Sequence, residues 1–198
     1  NTSIDDGNFK NNPFQQQSSF YSSTNSNSPL FGQGENFFYG QSVFENSPLN
    51  RGIEVASPGN NWAGTMWNSS EGSRNSVKTK FLLNTPNDEV RIWNVTEGSF
   101  GGFSGYSSTS TCPAGELIKT VVVDENGKQV IEFKNKDNQV ILKKVQLTAG
   151  SDNGSGSGHG GWLCTYYIYN ELGNLNCVIQ PKGVELISPS WVLSDPTI

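Results

Sequence analysis

Asn, Ser and Gly supply 70 of the 198 residues, and charged residues only 16%, against roughly 25% in an average domain. Leu, Ile, Val and Phe total 47, above the ~20% share below which chains tend to stay disordered, so a thin core is expected. The net charge of −5 and the single His argue against a general nucleic-acid or anionic-membrane binder and exclude a mechanism needing two imidazoles or a multi-His zinc site.

No stretch approaches the ~18 apolar residues of a bilayer span. Cys112, Cys164 and Cys177 have no CxxC spacing, which gives neither a metal knuckle nor a disulfide framework. Nothing in the pattern calls for a cofactor. A first residue of Asn is what a mature end after signal cleavage, or a piece of a longer chain, would show.

Residues 1–36 read as a low-complexity polar leader, partly ordered at best. Gln15-Gln16-Gln17 and the run from Ser22 to Ser28 cannot offset the entropy of ordering. Single aromatics at Phe9, Phe14, Phe20 and Tyr21 offer points at which the leader can be pinned to a neighbouring surface. Residues 37–110 read as an irregular β region, continuous with a hairpin region over 111–198. Val77 to Leu83 and Val90 to Val95 flank Asn84–Asp88 and predict a hairpin with a longer loop. Residues 98–110 predict a Gly/Ser loop.

From Leu117 onward strands are predicted over 118–123, 130–133, 140–147, 162–169 and 175–179, with a Gly/Ser linker loop over 149–161. No segment shows a sustained helical period, and 186–193 is short and carries Pro189. The class is all-β: short antiparallel strands and hairpins with long Asn/Ser/Gly-rich loops.

Three turns repeat. Asp124-x-x-Gly127, Asn135-x-x-Asn138 and Asn170-x-x-Gly173 each lie between apolar runs. The leading Asp or Asn can accept from backbone two residues on. The closing Gly or Asn suits the left-handed conformation of a bulged hairpin. Tyr169 precedes the last turn. A self-similar unit of this kind points to a stacked array.

The segment Tyr167-Ile168-Tyr169-Asn170-Glu171-Leu172-Gly173-Asn174-Leu175 resembles the Tyr-Asp (YD) repeat of the RHS (rearrangement hot spot) and teneurin-like family, with Asn170 where Asp is usual. The wider arrangement, including Ser47-Pro48-Leu49-Asn50-Arg51, Asp124-Glu125-Asn126-Gly127 and Trp162-Leu163-Cys164-Thr165-Tyr166-Tyr167, is similar to the amino-terminal module of Bacteroidota RHS proteins. It covers 115–185 well, 40–95 less well and 1–36 hardly at all. The resemblance implies a secreted or cell-surface protein whose repeats wind a β-sheet into a shell. The role expected here is a non-enzymatic structural module that starts such a sheet. Its partners would be downstream repeats of a longer polypeptide or another copy of itself. Only two or three repeat-like units are present, and Asn135-x-x-Asn138 lacks the usual Gly.

Catalytic and binding patterns in the sequence are few. His159, the one imidazole, lies in the Gly/Ser run 154–161, where no third group is expected to orient it. Asp88-Glu89 and Asp124-Glu125 read as solvated turn acids. Trp93 and Trp162 fall within strand patterns and read as core. Trp62 and Trp67, with Asn61, form the alternative: a carbohydrate platform of exposed indole and Asn.

Three further expectations concern geometry. Counting a four-residue loop 170–173 pairs Cys164 with Ile179 and Cys177 with Tyr166, which keeps the thiols unbridged. Gly173 should have positive φ. The apolar tail should fold back through Leu186, Ile187 and Trp191, within the chain or across a dimer.

Overall fold

Short β-branched and aromatic runs, interrupted every few residues by Asn, Ser or Gly, produce, among the described residues, eleven strands in two antiparallel sheets with a few short helices. The computed structural model describes residues 13–100, 102–148 and 151–194. The all-β expectation holds. Two compact units are present: one extends to Lys78 and includes Asp124–Gly127, and the other holds Thr79–Val123 and the residues from Lys128 on.

In the first unit, Pro13–Phe20 (α1) is followed by turns, and then by Gln41–Phe44 (β1) and Gly52–Ala56 (β2), which pair antiparallel. Thr65–Asn68 (α2) is a single turn, and Val77–Leu83 (β3) begins beside β2 with Lys78 opposite Glu54. The polar tract of the leader is turned by its own short-range hydrogen bonds, among them Asn25 Nδ2 to Ser19 O at 3.1 Å, and its aromatics pack on residues 38 and 39. Phe14 meets Tyr39 edge-on at 5.2 Å, and Tyr21 stacks on Phe38 at 5.0 Å. Phe9 lies outside the described residues. Ala56, Ala63 and Met66 form a small core. Beside it the buried Glu54 carboxylate accepts from Ser76 Oγ at 2.5 Å and from Arg74 at 3.0 Å.

In the second unit the main sheet runs β3-β6-β7-β8-β9-β10, built from Ile118–Val123 (β6), Gln129–Lys134 (β7), Val140–Gln146 (β8), Trp162–Tyr169 (β9) and Leu175–Ile179 (β10). A smaller sheet, in the order β11-β5-β4, holds Arg91–Thr96 (β4), Gly105–Thr111 (β5) and Val192–Leu193 (β11). One core cluster is formed by Val121, Ile131, Phe133, Leu142, Trp162, Tyr166, Ile168, Ile179 and further buried side chains of both sheets.

Five expectations need correction. Strands β3 and β4 do not form a hairpin, because they belong to different sheets. Thr85 and Asp88 close a reciprocal capping turn, and Glu89 turns the chain away with φ of 52°. Within 98–110, residues from Gly105 on form strand β5, with Tyr106 and Ser108 alternating inward. Here alternation outweighs the Ser-rich composition.

Helices also exist. Pro181–Ile187 (α3) starts where Pro181 ends β10, since a missing N–H is harmless in a first helical turn, and it buries Val184 and Ile187. The fourth correction is register. Asn174 is not opposite Tyr169; Leu175 is, and a bulge then places Cys177 opposite Ile168 and Ile179 opposite Tyr166. All three thiols are free. The tail does fold back within the chain, through Ile187, Trp191 and Leu193, whereas Leu186 stays 56% exposed.

The repeated turns share one hydrogen-bond pattern. Gly127, Asn138 and Gly173 each donate N–H to the carbonyl three residues back, at 3.0, 3.1 and 2.9 Å. The side chains of Asp124, Asn135 and Asn170 each accept from the N–H two residues on. All three closing residues have positive φ, including Gly173 at 79°. A Cβ at Gly173 would also press on Gln139 Nε2 at 3.2 Å. Gly173→Val is therefore expected to destabilise the chain by more than the roughly 1 kcal/mol typical of a point change. A thermal melt within a degree of the parent would contradict this account of the turn.

Candidate functional site

Of the three platform residues, Asn61 and Trp62 line a cleft of about 390 Å³ with Tyr21, Glu35, Phe37 and Phe38, all in the first unit. Trp62 is 38% exposed and Trp67 65%, and Trp67 is not among the residues lining that cleft. Asn60 fixes the wall. Its N–H donates to Glu35 Oε2 at 2.7 Å, its Nδ2 donates to Gly34 O at 2.8 Å, and its Oδ1 accepts from Asn36 N–H at 2.9 Å. Glu35, Tyr21, Phe37 and Phe38 are absent from the sequence reading of this site. Their one visible signal is the density of aromatics between residues 14 and 39.

Asn135, Asn138, Tyr169, Asn170 and Gly173 come together at one end of the main sheet. The turns after β7 and after β9 are bonded to each other, Gln139 Nε2 donating to Gly173 O at 2.9 Å. Tyr169 OH donates to Val140 O at 3.2 Å, tying β9 to the start of β8. Asp124 and Gly127 belong to the β6–β7 turn, which the alternating direction of the strands puts at the other end of those strands.

The centre of the second unit is a buried ionic knot. Lys119 Nζ donates to Asp88 Oδ1 at 2.8 Å and to Asp152 Oδ2 at 2.5 Å, and the three side chains are wholly buried. Lys144 Nζ, equally buried, donates to the carbonyls of Asp88 and Gly158 at 2.9 and 3.2 Å and to that of Ser157. Asp88 also accepts from Thr85 N–H at 2.7 Å, and Asp152 from Gly154 N–H at 2.8 Å. Burial pulls the Lys144 ammonium down to about 8. Although burial opposes ionisation of Asp152, the Lys119 bond and the Gly154 and Gly156 amides hold it below the usual carboxylate range.

Asp88 is therefore not a solvated turn acid, and the described part of the Gly/Ser loop is not a free linker. Its glycines serve close approach: a Cβ on Gly156 would lie 2.2 Å from Thr85 Oγ1. His159 is likewise held in place. Tyr166 OH accepts from Arg91 N–H at 3.0 Å and shares a hydrogen bond with His159 Nε2 at 2.8 Å. Burial, helped by the nearby Lys144 and Arg91 cations, pushes His159 down to about 4. It is neutral at pH 7, and its 3.8 Å approach to Glu89 is not an ion pair. A hydrogen bond to the Tyr166 hydroxyl and an indole 4.8 Å away make this a packed core group. Its edge lines a largely apolar pocket of about 550 Å³ between β9 and α3. Among the described residues no group of three His, Cys, Asp or Glu is placed to hold a metal ion.

Comparison with known proteins bears on the first unit. Residues 1–76 are similar to a domain of unknown function, DUF6443. No curated protein and no solved structure matches the chain. The similarity spans the leader, the aromatic cleft and the β1–β2 hairpin.

Two outcomes are expected. Lys119→Met leaves two buried carboxylates without their cation and is expected to cost about 3–5 kcal/mol in urea unfolding; a loss under 1 kcal/mol would remove the knot from the core. The unfolded chain also takes up a proton on His159 near its ordinary value, while the folded chain resists until about 4. Stability contributed by neutral His159 is thus fully present above about pH 6.5 and lost as pH falls toward 4, on the order of 3 kcal/mol. His159→Gln should flatten melts taken across that window, and an unchanged slope would contradict the assignment.

Proposed function

We propose that the chain is a non-enzymatic structural module of an exported RHS-type, YD-repeat protein, laying down the start of a β-sheet on which further repeats pair. The observation that carries this reading is the side-by-side placement of the β7–β8 and β9–β10 hairpins, with equivalent turns linked from Gln139 to Gly173. Tyr169, the Tyr of the repeat motif, bonds to the neighbouring strand rather than to solvent, as a repeated inter-strand tie requires. β10 lies at an edge of the sheet, with Leu175 and Val178 exposed. An edge of that kind presents unpaired backbone groups to a following strand.

The coding sequence after Ile198 tests this directly: a run of Tyr-Asp hairpins is expected there, and an immediate stop codon would overturn it. In a polypeptide so continued, amides of Leu175–Ile179 should exchange at least about tenfold more slowly than in residues 1–198 alone. Equal exchange would remove β10 as the seam.

The exposure of Trp62 and Trp67 favours a second reading, a carbohydrate platform. Binding on a glycan array that disappears with Trp62→Ala would support it; an array blank for the parent chain would end it.

A further inference from the structure

We propose that the cleft at Trp62 binds a small organic ammonium ion, seated against its aromatic walls with its charge facing Glu35. The inference rests on the second reading above only in placing a ligand against Trp62, and it names the chemistry which that ligand must carry. Three observations converge. The walls are Trp62, Phe37 and the stacked pair of Tyr21 and Phe38, whose rings lie 5.0 Å apart at 19°. Ring faces carry negative potential, and several of them around one space attract an alkylated ammonium, whose hydration they replace at little cost. Among the described residues, Glu35 is the only charged side chain lining the cleft, so its field is negative.

The third observation is that the space is built. Glu35 is held by the Asn60 N–H, while Asn60 in turn clamps the backbone of Gly34 and Asn36. Gly59 N–H also donates to Phe37 O at 2.7 Å. The position a Cβ would take on Gly59 is 3.2 Å from Trp62 Cδ1 and 3.8 Å from Glu35 Oε2. A side chain there would project between the indole and the carboxylate, and glycine leaves that gap open. A neutral sugar would use the indole and could donate a hydroxyl to the carboxylate, but it brings no charge to match the one on Glu35. A quaternary ammonium, or a protonated amino sugar, would use both.

The whole chain would be titrated at pH 7 with tetramethylammonium, choline, glucosamine and glucose, following the Trp62 indole N–H by NMR and heat by calorimetry. Saturable binding of the ammonium ions in the millimolar range or tighter is expected, with glucose at least about tenfold weaker. Glu35→Gln keeps an oxygen for the Asn60 bond and removes the charge, so it should weaken ammonium binding by about tenfold while the amide spectrum keeps its dispersion. Trp62→Leu should do the same. Choline binding without glucosamine binding would identify a methylated ammonium as the ligand, and binding of both would show that the sugar frame is tolerated. Equal binding of glucose and glucosamine, undiminished by Glu35→Gln, would overturn the ammonium proposal and leave the sugar platform standing. No shift with any of the four would overturn both.

Discussion

The pairing of Lys119 with Asp88 and Asp152 is the constraint on which the second unit depends. Two ammonium and two carboxylate groups sit where water does not reach, and a set of that kind is no more stabilising than an apolar core of equal volume. Its effect is selective. Asp88 comes from the turn after β3, Lys119 and Lys144 from two strands of the main sheet, and Asp152 from the loop before β9. Any arrangement that brings one of these segments into the core without the others leaves a charge buried alone, at a cost of several kcal/mol. The Gly/Ser loop supplies what the side chains cannot: three of the carbonyl and amide contacts around Lys144 and Asp88 come from the backbone of Ser157 and Gly158.

Much of this sheet could be read from sequence alone. The strands from β6 to β10 were visible as β-branched runs, and their turns as repeated Asx-x-x-Gly or Asn, because turn chemistry and strand propensity agree there. Only half of the knot's signal is local in the sequence. Lys119 shares strand parity with Val121, and Lys144 with Leu142. A lysine on the core face of a strand needs an acid, and that reasoning leads to Asp88 and Asp152. Composition misled in the same way twice. Ser and Gly suggested a loop where Tyr106 and Ser108 alternate inward, and a free linker where Gly156 lets two backbones touch.

The aromatic cleft was half legible. Asn61 and Trp62 stood out, but the opposite wall comes from the leader and from residues 35–38, which no local pattern connects to residue 62. That connection is made by the Asn60 clamp, a tertiary contact between segments about 25 residues apart. The similarity of residues 1–76 to one domain family covers all of these segments together. The leader and the turn at 57–62 thus fall within one matched stretch, although composition alone sets them apart.

The order in which the knot's members leave the ribosome has its own consequence. Asp88 is made first, Lys119 and Lys144 next, and Asp152 with the backbone of Ser157 and Gly158 last. The β6–β7–β8 meander is complete by Gln146 and local enough to pair at once. Yet its inner face then carries two lysines with only one acid between them. A nascent chain halted at that point holds a sheet that cannot close over its own core without burying an unmatched positive charge. The dozen residues that follow, which by composition resemble a spacer, are therefore the part of the message that releases the preceding strands to pack.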